Sequence, residues 1–80
     1  MRWKFRRAFI NKRFVQYSYS RETDEMDGII QYDRETEEIK ILKPCENDKD
    51  SELSQSIAME HFYWNVIQEG LPENRYVACG

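Results

Sequence analysis

Ser51-Glu52-Leu53-Ser54-Gln55-Ser56-Ile57-Ala58-Met59-Glu60-His61-Phe62-Tyr63-Trp64-Asn65-Val66-Ile67-Gln68-Glu69-Gly70 repeats its apolar residues with a helical period and carries both a start and a stop signal. Asp50 or Ser51 can cap the first turn, because a short side-chain oxygen there satisfies a free backbone N–H. Gly70 suits the left-handed residue that closes a helix, and Pro72 just beyond cannot continue one. The spacing therefore predicts a helix from Ser51 to Glu69. At 100° per residue Leu53, Ile57, Trp64 and Ile67 form one stripe, which Met59, Phe62, Tyr63 and Val66 widen past half the circumference. An arc that wide exceeds what one small sheet needs to cover, so either the N-terminal strand wraps round the helix or part of the helix faces another chain.

Beyond the helix, Arg75 to Cys79 reads as a short last strand. Upstream, the pattern changes to the period of two that marks half-buried strands. Trp3, Phe5, Arg7 and Phe9 alternate with Lys4, Arg6 and Ala8. Asn11-Lys12 then offers a two-residue turn into Arg13 to Ser20, where Val15, Tyr17 and Tyr19 share a face. Asp27-Gly28 is a hairpin signal ahead of Ile29 to Asp33, but a tight turn there would set Glu22 across from Asp33. A longer loop avoids that like-charge pair and is the expected register. Glu37 to Lys43 forms a fourth strand, ended by Pro44, which lacks a ladder donor. The fold expected is a single small α+β domain over residues 1–80, ββββαβ. An antiparallel meander of three to four strands packs on one α-helix, and a short C-terminal strand completes it. Residues 1–12 form an edge strand or an extension of it.

The charges are sorted along this frame. Six of twelve Lys and Arg lie within residues 2–13, and twelve of fifteen Asp and Glu within residues 22–52, under a net charge of -3. Such asymmetry speaks of partners or solubility rather than of chemistry. Glu22, Asp24, Glu25 and Asp27, then Asp33, Glu35, Glu37 and Glu38, then Glu46, Asp48, Asp50 and Glu52 occupy the connections flanking strands three and four. Meander loops alternate between sheet ends, so the first and third groups share one end. Carboxylates so placed can occupy a basic groove on a nucleic-acid-handling protein. Arg2, Lys4, Arg6, Arg7, Lys12 and Arg13, with Trp3, Phe5 and Phe9 between them, have the composition of a nucleic-acid surface, or of an edge strand guarded by cations.

Catalytic readings find no pattern to stand on. His61 is the sole histidine, and neither Cys45 nor Cys79 lies in a hydrolase-like context. With His61 they lack a fourth zinc ligand, and three isolated glycines make no phosphate loop. No cofactor is expected. Two cysteines are too few for a disulfide scaffold, which favours free thiols, although one bridge could staple the last strand. Glu60 falls within the apolar stripe, so an undistorted helix aims a carboxylate at the core, unless it lies at the stripe's edge and reaches water or Arg7.

No apolar run is long enough to span a bilayer, and the start has no uninterrupted hydrophobic region of a secretion signal, so a cytoplasmic site is expected. In size and charge alone the chain resembles the inhibitors that phages and mobile elements direct at host nucleases, anti-CRISPR proteins among them. That resemblance implies a DNA-mimicking inhibitor. The leading expectation is a non-enzymatic protein-interaction module working through its acidic loops or its surplus helix face. Its partner would be a protein, including a basic nucleic-acid-binding one. Direct nucleic-acid binding ranks behind that, and a homodimer through the helix remains open.

Overall fold

The computed structural model describes residues 1–79. These form β1 (Arg2–Ile10), β2 (Phe14–Arg21), β3 (Gly28–Asp33), β4 (Ile39–Lys43), α1 (Glu52–Phe62), a π-helical turn (Tyr63–Ile67) and β5 (Asn74–Ala78). The strands make one antiparallel sheet in the order β4-β3-β2-β1-β5, with α1 packed on one face: an α+β fold of the expected ββββαβ order. The link from β4 to β5 thus carries the chain from one sheet edge to the other, and the helix is that crossing.

This topology corrects one expectation. β1 is an inner strand, paired with β2 on one side and β5 on the other, so its cations do not guard an edge. The edges are β4 and β5.

The first turn falls one residue later than Asn11-Lys12. Ile10 faces Val15, and the Asn11 side-chain carbonyl accepts the N–H groups of Arg13 and Phe14 at 2.8 and 2.7 Å, holding Lys12 and Arg13 in the bend. That register alone would place Phe5 opposite Ser20, on the wrong face, because a one-residue slip inverts every side chain. A bulge between Arg7 and Phe9 absorbs the slip, so that Phe5 faces Tyr19 and Trp3 faces Arg21. Beyond the bulge Phe9 is exposed, which breaks the alternation expected of it.

The second connection is the longer loop. Tyr19 pairs with Gly28, leaving residues 22–27 free to curl and Asp33 opposite Phe14. Gly28 is required by close approach: a Cβ there would lie 2.4 Å from the Tyr19 ring and 2.8 Å from the Cys45 nitrogen.

The core is asymmetric in side-chain size. The sheet contributes Trp3, Phe5, Val15, Tyr17, Tyr19 and Ile30, all buried, and the helix contributes Ser54, Ala58, Phe62 and Val66. Phe62 meets Tyr17 edge-on with ring centroids 5.3 Å apart and Phe5 at 5.5 Å. Sheet aromatics fill the space, so the early turns of the helix can approach only through small residues. Leu53 and Trp64, expected in the core stripe, are therefore turned outward.

The residues at 54, 58, 62 and 66 are spaced by four, which drifts about 40° per step on an α-helix. The wider final turn, closed by the Gln68 N–H on the Tyr63 carbonyl at 3.0 Å, slows that rotation and keeps Val66 over the sheet. Ser51 is the N-cap, accepting the Ser54 N–H at 3.1 Å, and Gly70 closes the end with φ 83°.

Candidate interaction surfaces

The loops at the two ends of the sheet collect the acids in separate groups. The Asp27 carboxylate accepts the Glu46 N–H at 3.2 Å, and Asn47 and Arg21 exchange side-chain to carbonyl bonds at 2.6 and 2.5 Å. The first and third acidic groups, Glu22, Asp24, Glu25, Asp27, Glu46 and Asp50 among them, thus share one end with the helix N-terminus. Glu35, Glu37 and Glu38 lie at the opposite end, beside the β1–β2 turn, where Arg34 donates its N–H to the Arg13 carbonyl at 2.6 Å. The acids form no single ridge.

Much of their charge is answered within the chain. Since Trp3 faces Arg21, the antiparallel register continues to Arg2 beside Glu22, and the Arg2 N–H donates to the Glu22 carboxylate at 2.5 Å. The N-terminal ammonium lies 3.8 Å from the same group. Lys4 pairs with Asp24 and holds its carboxyl below the usual range. Lys49 pairs with Glu46 at 2.7 Å, Lys40 approaches Glu38 at 4.0 Å, and Arg13 meets Asp33 at 3.2 Å and Glu35 at 3.8 Å. Burial pushes the Asp33 carboxyl up. The Thr36 N–H, the Arg13 guanidinium and the Glu35 N–H outweigh it, so the group sits below its ordinary value. Glu25, Asp27, Glu37, Asp50 and Glu52 have no cationic partner among the described residues. A surface so paired presents little of the unbroken negative field that imitation of a phosphate backbone needs.

Asp48, expected among the partner-binding acids, is fully buried. It accepts from Arg21 Nε at 2.5 Å, Ser54 Oγ at 2.5 Å and Trp3 Nε1 at 3.3 Å. One carboxylate therefore ties β1, β2 and the first turn of α1 together, and a buried charge persists only when its partners are this complete. This is a structural knot, unavailable to a partner.

Of the basic residues, Lys4 and Arg6 project from the face of the sheet that the helix leaves open. There a cavity of about 230 Å³ is lined by Arg2, Lys4, Glu22, Thr23, Asp24 and Tyr76. Arg6 meets only Asn74 at 3.4 Å, Lys12 is exposed at the turn, and Arg7 donates to the Leu71 carbonyl at 2.8 Å.

Glu60 is exposed, in the position of a carboxylate at the stripe's edge that reaches water rather than one aimed at the core: the buried line runs through Ala58 and Phe62. The same rotation brings out an apolar line. Leu53 is 72% exposed and Trp64 60%, with Ile57 half-buried between them and Tyr63 set edge-on to Trp64 at 4.9 Å. This is the largest apolar feature of the helix that the fold itself does not use.

Both cysteines are free. Cys45 is buried, and burial pushes its thiol up to about 11; Cys79 is exposed. Cys79 Sγ lies 3.5 Å from His61 Nε2, and the His61 ring rests on Trp3 at 4.8 Å. The thiol and imidazole meet, but among the described residues no carboxylate orients the ring, and Glu60 does not join them. No group of three metal-ligating side chains converges among the described residues, and no helix there is long and apolar enough to cross a membrane. Comparison with known protein families, with curated proteins and with solved structures returns no match.

Proposed function

We propose that this chain is a non-enzymatic protein-interaction module that docks through the outward line of its helix, Leu53, Ile57 and Trp64 with Tyr63 beside them. The observation that carries the reading is the exposure of Leu53 and Trp64, because large apolar and aromatic side chains on one face are the anchors that protein partners bury. Glu60 sits within this line, and Asp50 and Glu52 continue it at the helix N-terminus. The complementary surface is an apolar groove edged by Lys or Arg. A symmetric pairing of two helices crossing near Glu60 would oppose two carboxylates, which favours a different protein over a second copy. An inhibitor of a basic nucleic-acid enzyme is one form of this reading. Its support is the gathering of Glu25, Asp27, Asp50 and Glu52 at the end of the sheet beside Leu53.

The test is a photo-crosslinking side chain placed at Leu53 and, separately, at Lys40 on the edge strand. The reading predicts an adduct with a distinct protein in native extract from position 53 alone. Adducts from position 40 alone, or only cross-linked homodimer, would count against it.

A further inference from the structure

Arg7 and Arg75 stand as diagonal neighbours on the helix-covered face of the sheet. Arg7 faces Tyr17, and Arg75 faces Phe5, whose ring is buried there. The Arg7 N–H bonds to the Glu73 carbonyl at 2.8 Å, which places Arg7 two residues along the ladder from the position facing Arg75. On one face such neighbours are roughly 7–8 Å apart, close enough to repel. Among the described residues neither guanidinium has a carboxylate within ion-pairing distance. Every other cation of β1 except Arg6 does. Arg7 spends one N–H on the Leu71 carbonyl, and Arg75 Nε is buried with no acceptor among the described residues.

Tyr17 registers both charges: each guanidinium works against the burial that otherwise drives its phenol up to about 12. Its hydroxyl donates to the Pro72 carbonyl and accepts from neither guanidinium. Arg7 is exposed and open to solvent, so the costly group is the buried Arg75 Nε–H, a donor that a protein retains when something else completes it.

We infer that Arg7 and Arg75 together form an oxyanion site on the helix side of the β1–β5 pair, suited to a phosphoryl group. Two guanidiniums carry the charge that a phosphate dianion neutralises, and each offers forked N–H donors matched to its oxygens, whereas a single carboxylate would leave one cation unanswered. The site is separate from the outward helix line, so either can fail without the other.

The probe is inorganic phosphate added to the intact chain, with acetate and chloride at equal ionic strength as controls. The resonances followed are the Arg7 and Arg75 Nε–H signals. Saturable shifts of both with phosphate, a rise in melting temperature that chloride does not reproduce, and loss of both effects in Arg75→Met are expected. The Arg75→Met chain should melt no lower than the parent in phosphate-free buffer, since it loses an unpaired cation and keeps the apolar stem. Shifts that grow linearly and alike for all three salts, or a phosphate response retained by Arg75→Met, would overturn the inference. A glucose 6-phosphate arm then separates a free ion from a phosphoryl group on a larger molecule: competition with phosphate at the same signals is the result expected for the latter.

Discussion

Replacing Asp48 by Ala should be the most damaging single polar change in the chain. The substitution strands Arg21 Nε, Ser54 Oγ and Trp3 Nε1 around a small void in a site with no solvent exposure. Breaking a buried ion pair from one side costs about 3–5 kcal/mol. The Arg21 side chain keeps 22% of its surface in water, so it recovers part of its hydration, and the lower end, about 3 kcal/mol, is expected. An 80-residue domain has roughly 4–12 kcal/mol to lose, so this change removes a quarter or more of it. With a urea slope of about 1–1.5 kcal/mol/M, the midpoint should fall by about 2–3 M at unchanged slope.

The assay is equilibrium urea unfolding followed by tryptophan fluorescence, in which the buried Trp3 reports the knot directly while Trp64 starts near water. Asp48→Asn, which keeps the shape but turns an amide N–H₂ toward a donor, should cost less, about 1–2 kcal/mol. A loss of under about 0.5 kcal/mol for Asp48→Ala would refute the reasoning, because stranded buried donors cannot be that cheap.

Four further outcomes follow from the backbone and the thiols. Gly28→Ala should destabilise by about 1–3 kcal/mol in the same assay, since the added methyl collides with the Tyr19 ring, whose hydroxyl is held by the Cys45 N–H at 3.1 Å. Glu37, at φ 63° in the β3–β4 turn, should gain up to about 1 kcal/mol when replaced by Gly, which adopts that conformation without a Cβ clash. A thiol reagent at pH 8 should modify Cys79 and spare Cys45 in the native chain. Because Cys45 titrates higher folded than unfolded, its contribution to stability is complete below pH 9 and is lost as the pH rises toward about 11, which an alkaline unfolding series will register.

Strand periods, the Ser51 cap, the Gly70 stop and the like-charge argument against a tight turn at Asp27-Gly28 were enough to read the element order from the sequence. The helix face was not legible. Hydrophobicity favours the largest residues for the core, but the sheet had already supplied Trp3, Phe5, Tyr17 and Tyr19, and packing then selected Ser54 and Ala58 for contact. Asp48 was hidden by the same logic, since an acid in a polar linker looks solvated until Arg21, Ser54 and Trp3 are known to converge on it. The place of β1 depended on where β5 docks, a pairing of the two ends of the chain that no local pattern encodes. The sorted charges were visible at once. Where they go depended on the hairpin register, which lays Arg2 and Lys4 against Glu22 and Asp24; the helix line is the docking surface we propose in their place.

That last point is open to a direct measurement: retention of a protein partner by the immobilised chain at about 0.1 M and about 1 M salt, compared between Leu53→Ser/Trp64→Ser and Glu25→Gln/Asp50→Asn. The parent and the acid-neutralised chain should hold the partner at both concentrations, and the helix variant should release it at both while melting as the parent does. Release by the acid-neutralised chain and by high salt, with retention by the helix variant, would contradict the account and return the interaction to the acidic loops.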